Sequence, residues 1–539
     1  MSDDNLDSLT DQQLFQVIED AKTELEQRMT RKRTDSRSVQ ELLRMASDIE
    51  TNLNRLRQDM SRLREKVAEL EDDGGGDPGG GDPGGGPQPA ELAFPGAEGF
   101  GALARGGRGG RVVQVTNLND SGPGSFRDAV LQTGPRIVVF QVGGTITLNS
   151  TVVVSGANRS FLTIAGQSAP GKGVQFKGFG ITFTSGVHDV VVRNIRVRMG
   201  GVSTNDFSSS TMSTYATSLS DKIYNVIFDH CSFYWGYDET GRTYNYCENI
   251  TWQWCIFEGV NHKFPSDTKL HVSKSLLMGA GPPNGARMKN ISVHHCFMVN
   301  SAQRNPNIVG DGPSHIINNV VYNWQDFGTQ MENRGNGAQV NLIGNYYKRG
   351  PSTNTRRYAV GIHGPRSQPP GLVYVKDNIG PFRAFNTLDD WDIVGNGFTS
   401  GPNGYMTLPA PQNLQRGNPW PDSPVPVSIA PVEQVVDQVL DTVGALPRDE
   451  VDERAVNDFR RNTGRIRNST ELRPSDWAQL PELKAGADDD RDGMSNLFEQ
   501  FYGKGALDRN DPSDRNELAP SGYTWIEEYL NLAMAQRGA

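Results

Sequence analysis

Between Asn225 and Tyr347 the chain repeats one short phrase: YNVIFDHCSF, ENITWQWCIF, KLHVSKSLLM, MKNISVHHCF, SHIINNVVYN and QVNLIGNYYK. Each is a run of β-branched and aromatic residues alternating with polar ones, the period of a half-buried strand. One small polar residue recurs in the same column: Cys231, Cys255, Ser275, Cys296, Asn319 and Asn345, with Asn194 in VVVRNIRVR opening it upstream. From Cys231 onward these positions lie 24, 20, 21, 23 and 26 residues apart. A period in the twenties marks a solenoid, because one such unit buries its apolar face only when neighbours stack on it. With strands and no helical period between the phrases, the expected solenoid is a parallel β-helix. The small polar column is its expected internal ladder, each side chain bonding to the equivalent one on the next coil.

Composition agrees where it bears on this. Sixty Gly, 31 Pro and 22% charged residues in 539 suit a turn-rich β protein. A net charge of −10 with no concentrated basic face argues against nucleic acid as a partner. No apolar run is long enough to span a membrane. Three of the four cysteines sit in the repeating column, and no CxxC pair suggests zinc, so the thiols read as small buried core residues.

Five segments are expected. Residues 1–35 hold a helix, with Leu14, Val17, Ile18, Ala21 and Leu25 at helical spacing. Over residues 36–73, Val39, Ala46, Leu53, Met60 and Val67 take one heptad position, and Leu42, Ile49, Leu56, Leu63 and Leu70 take the other. So narrow a seam buries nothing without a partner, so a coiled coil and a homo-oligomer are expected, a trimer before a dimer. Residues 74–89, GGGDPGGGDPGGGPQP, form a linker. The β-helix spans 90–430, and 431–539 is a helical extension. The clustered glycines of AFPGAEGFGALARGGRGG lack the preceding strand and following helix that a nucleotide-binding loop needs.

The extension carries DDDRDGMSNLFE. Asp488, Asp490 and Asp492 take positions 1, 3 and 5 of an EF-hand-type loop, Gly493 position 6, Met494 and Asn496 positions 7 and 9, and Glu499 position 12. Oxygens at alternating positions, a glycine for the sharp turn and a bidentate glutamate at the end are what a Ca2+ ion requires. A later phrase, DRNELAPSGYTWIEE, offers Asp514, Asn516 and Glu528 but is interrupted before Gly522, so a paired second site is not expected.

AFPGAEGFG, GGRGG, VTNLNDSGPGSFRDAV, TIAGQSAPG and NVIFDHCSFYW together resemble the pectate lyase-like proteins of polysaccharide lyase family 1, from about Phe94 to about Leu530. The resemblance implies an all-β, right-handed parallel β-helix and β-elimination on an acidic, uronate-containing polysaccharide. It implies Arg304, in Arg304-Asn305-Pro306, as the base, and Lys274 as a substrate contact. The acidic positions that hold the family's catalytic calcium fall at Asp238 or Glu239 and near Ala216 and Arg242. Two of these cannot ligate a cation, so Arg242 is the expected partner of the substrate carboxylate. Asp229-His230 is an acid–base pair by composition but reads as structural beside the ladder. A coiled coil, a tether and an N-terminus (MSDDNLDSLTDQQ) read as lacking a secretory signal are similar to bacteriophage tail spikes. The expected protein is a virion-associated depolymerase of host glycan. The alternative is a spike that grips glycan without cutting it.

Overall fold

The computed structural model describes residues 91–538 apart from 201–209, 238, 264–269, 280–287, 311, 333–338, 355–357, 364–371, 397–415, 504–506 and 509. The helix, coiled coil and linker expected over residues 1–89 lie outside the described residues, as does Asp238.

Three parallel sheets run along the molecule. Sheet I has ten strands, from Arg111–Val115 to Leu372–Lys376. Sheet II has nine, from Val152–Ser155 to Val394–Asn396. Sheet III has eight parallel strands, from Val142–Thr147 to Tyr346–Lys348, and a ninth, Leu483–Lys484, antiparallel at its first edge. The chain visits them in rotation. Met212–Ala216 lies in sheet II, Ile223–Asp229 in sheet I and Ser232–Tyr234 in sheet III, and Gly241–Asn245 returns to sheet II one coil on. This is the expected right-handed parallel β-helix. Its core is a column of inward side chains in register: Phe228 over Trp252, then Val293, Ile316 and Leu342. The Phe228 and Trp252 rings stack with centroids 3.9 Å apart.

The corner between sheets I and III is two residues wide and explains the polar column. Its first residue adopts positive φ on coil after coil: Asn194, His230, Trp254, His295, Asn318 and Asp377 all lie between 47° and 57°. Its second residue points inward and makes the ladder, where Asn319 Nδ2 donates to Asn345 Oδ1 and Asn345 Nδ2 to Asn378 Oδ1, each at 2.9 Å. Cys231, Cys255 and Cys296 continue the column but donate to main-chain carbonyls instead.

Two expected members do not belong. Asn194 pairs with the His230 column, one residue before the ladder, where Asn serves because it tolerates left-handed backbone. Ser275 precedes the sheet II strand Leu276–Gly279, so the phrase around it is not a repeat of the others. Cys255 and Cys296 bound one long coil.

Two of the three outer faces are covered. Helices Val432–Thr442 and Glu450–Arg461 pack on sheet III, setting Val435, Val439, Ala455 and Phe459 against Ile256, Phe297, Val320 and Tyr322. Arg196 and Arg198, both fully buried, clamp Asp449 and Asp452 at the start of the second helix. On sheet I, Phe94, Ala102 and Ala104 cover Val191 and Ile227, while Ile526 and Leu530 of helix Trp525–Gly538 cover Ile137 and Val139. The apolar clusters of the described residues put no such cover on sheet II.

Candidate active site

Sheet II presents alternate residues outward, as the pleat requires. In Gly241–Asn245, Gly241 and Thr243 are buried while Arg242 and Tyr244 are half-buried. Arg242 pairs in register with Ser213 on one side and Leu277 on the other, and Leu277 with Asn307. Arg242 Nε donates to Ser213 Oγ at 3.1 Å, and its guanidinium lies over Tyr215 and Tyr244 at 5.5 and 5.7 Å from the ring centres.

The turn entering sheet II brings three sequence-derived residues onto successive coils. The Thr240 N–H and hydroxyl donate to the Lys274 carbonyl at 3.0 Å, and Lys274 bridges to Gln303 beside Arg304. The Arg304 guanidinium reaches back across this stack to pair with Glu239, which is 1% exposed. Arg304 is set by a bulge. Lys274 pairs with Gln303, an offset of 29 residues, whereas Leu277 pairs with Asn307, an offset of 30. The extra residue is Arg304 at φ 62°, and such bulges re-aim a side chain. Its N–H donates to Gln330 Oε1 at 2.9 Å and its carbonyl accepts from Leu276 N at 2.9 Å, so the backbone under the guanidinium is held on both sides. Pro306 comes two residues later, ahead of the strand Asn307–Ile308. Asn307 Nδ2 donates to Glu332 Oε1 at 2.9 Å, extending the polar strip one coil further.

Ala216 is fully buried in the central core and faces away from this strip, so it is no ligand position. Glu239 is committed to Arg304, and the described residues of the strip gather no group of three acidic ligands. Among the described residues, with Asp238 outside them, the strip therefore offers fewer donors than the six to eight oxygens a calcium ion takes. Asp229 and His230 sit on sheet I and its corner, away from the strip. Burial works against the Asp229 charge, but His230 and Arg193 hold its carboxyl well below the usual range. That pair is structural.

The tail loop is folded on the first coils. Gln114 and Gln141 both donate to Asp488 Oδ2, at 2.6 and 3.0 Å, and Gly493 turns at φ 96°. Burial and the neighbouring carboxylates raise Asp488 to about 6, Asp492 to about 7 and Glu499 to about 8. The Met494 side chain is core, leaving only its carbonyl to offer. Asn496 Oδ1 accepts from Asp489 N at 3.0 Å and closes the loop.

Arg242, Lys274 and Arg304 thus lie along the outer side of sheet II with Glu239 and Glu332 among them. The chain is 34% identical over 452 residues to the probable pectate lyase C of Aspergillus terreus, covering 82% of this chain and 94% of the relative. It is 34% identical over 455 residues to that of Emericella nidulans, covering 82% and 93%. The chain belongs to the pectate lyase family, and so to the polysaccharide lyases. No family model matches it. Among solved structures, jun a 1, the major allergen from cedar pollen, is 17% identical with a TM-score of 0.47, over 65% of this chain and 93% of that one.

Proposed function

We propose that this protein cleaves a uronate-containing polysaccharide by β-elimination along the outer face of sheet II, with Arg304 as the base. The juxtaposition of Glu239, Lys274 and Arg304 on three successive coils carries the reading. The base takes the proton on C5, α to the uronate carboxylate. The C5–H electrons form the C4=C5 double bond as the C4–O glycosidic bond breaks, and the leaving oxygen takes up a proton. Lys274 and Arg242 stabilise the negative charge that grows on the carboxylate. Tyr215 and Tyr244, with rings 5.7 Å apart and tilted by 32°, offer apolar faces on which sugar rings rest. Arginine is ordinarily charged below pH 12, so turnover rises with pH on the alkaline side. Incubation with polygalacturonate and other acidic polysaccharides tests the reading through absorbance of the unsaturated uronate end. Should no substrate yield that product at any pH, the strip grips glycan without cutting it.

The heptad seam of residues 36–73 and the Gly/Pro linker support a tethered, oligomeric form that acts outside the cell on a host glycan, as on a phage particle. A peptide of residues 36–73 that sediments as a monomer at tens of micromolar would overturn the assembly.

A further inference from the structure

We propose that the acidic tail holds one resident calcium ion in a site built from two separate segments, the loop Asp488–Glu499 and the turn at Asp514, and that this ion fastens the C-terminal helix to the first coils. The oxygens of Asp488, Asp490 and Asp492 lie within 4.8 Å of one another. Crowded carboxylates alone prove little on a protein surface; here Asp488 and Asp490 are half-buried and the rest of the cluster is buried. Asp492 is fully buried, Glu499 is 2% exposed and Asp514 5% exposed. Asp488 Oδ1, Asp490 Oδ2, Asp492 Oδ2, both oxygens of Glu499 and Asp514 Oδ1 have no hydrogen-bond partner. Burying such oxygens without a donor is costly, and a fold that keeps them together needs a counter-charge. The unsatisfied oxygens supply the hard, all-oxygen set that selects Ca2+ over softer metals.

The interrupted phrase from Asp514 onward thus completes the first loop in place of forming a second one. Asp514 opens the turn Asp514–Asn516, and its other oxygen accepts from Asp508 N at 2.6 Å. Asp508, from whose N–H it accepts, lines one hollow with Asn496 and Glu499, which sets Asp514 beside the loop. From that turn the chain passes straight to the helix: Trp525 N donates to Glu517 O at 3.0 Å, and Ile526 and Leu530 pack on Ile137, Val139 and Met494. On the other side, Gln114 and Gln141 grip Asp488 from the first coils. An ion at the centre joins three pieces of chain that are distant in sequence.

The test uses the full chain, stripped with chelator and titrated with terbium(III), whose luminescence Trp525 sensitises, followed by competition with calcium. A saturable signal displaced by calcium is expected, and either Glu499→Gln or Asp514→Asn should weaken binding at least tenfold while turnover stays within about twofold. Binding as tight in Asp514→Asn as in the native chain would overturn the two-segment site. A native chain with no saturable, calcium-displaced signal would overturn the ion altogether. Hydrogen exchange of helix Trp525–Gly538 in the native chain gives a second reading that needs no variant. Calcium should slow it at least tenfold, and an unchanged rate would overturn the fastening.

Discussion

In the groove Arg304 meets Glu239, Asn307 meets Glu332, and Arg242 rests on Ser213 between two tyrosines, whereas in the tail six oxygens from five carboxylates meet no donor at all. Both regions are rich in charge, and the difference lies in what each waits for. A polymer comes and goes, so charged side chains that bind it must be comfortable alone, and pairing within the strip keeps the charges so although Asn307 Oδ1 has no partner. A resident ion arrives once and stays, so its ligands are left incomplete in the protein itself. Pairing marks a site for a transient guest, and a buried deficit marks a permanent one.

That contrast breaks most visibly at Arg304. Arg304→Lys keeps the charge but loses the planar fork and its reach. Turnover should fall at least about a hundredfold, the low end for a positioned base, with polymer binding and melting temperature nearly unchanged. Full turnover on a verified substrate would remove Arg304 from the chemistry. Glu239→Gln takes the restraint away while leaving an acceptor. We expect turnover to drop about tenfold at most. Turnover that stays at the native level would mean Glu239 only fills space.

Chelation separates the two regions directly. Stripping calcium should lower the melting temperature by roughly 2 °C or more while initial turnover stays within about twofold. The opposite pattern, activity lost at constant melting temperature, would place the essential ion in the groove. A third way of managing buried groups is to keep them neutral. Burial pushes His295 down to about 4, and lowers His294 and His315 as well. The unfolded chain binds these protons near the ordinary value of about 6.5, before the folded chain does. Stability is therefore complete above that value, declines as pH falls toward about 4, and levels off below. A melting temperature flat across this window, measured with calcium saturating, would refute the assignment.

Much of the fold was readable in the sequence because the ladder residues face a uniform environment. Cys231, Cys255, Cys296, Asn319 and Asn345 all occupy the same inward corner. Ser275 misleads because alternation reveals a strand without revealing which of three sheets it joins. Ser275 sits beside strand-like residues, but these run in sheet II, and taking them as a repeat cut one coil in half. Asn194 is drawn to its place by left-handed backbone and the ladder asparagines by their amides, two separate reasons for the same residue. Asn378 escaped notice because the preceding coil is long. In the site, Arg304 was marked by its own short motif. Its partnership with Glu239, two coils away, depends on the bulge at Arg304 itself, which no local spacing records. Asp514 was passed over because its phrase fails as a loop of its own.

The narrow corner also decides where this architecture is free to vary. Measured along the true column, from Cys231 through Cys255, Cys296, Asn319 and Asn345 to Asn378, successive coils contain 24, 41, 23, 26 and 33 residues. All that difference is taken up on the far side, around sheet II, because the two-residue corner and its hydrogen-bonded column cannot lengthen. The molecule resembles a bound book, stitched along one spine with pages of unequal width. Insertions can redraw the margin where polymer is read without loosening a stitch, so specificity can diverge rapidly on a frame that hardly changes.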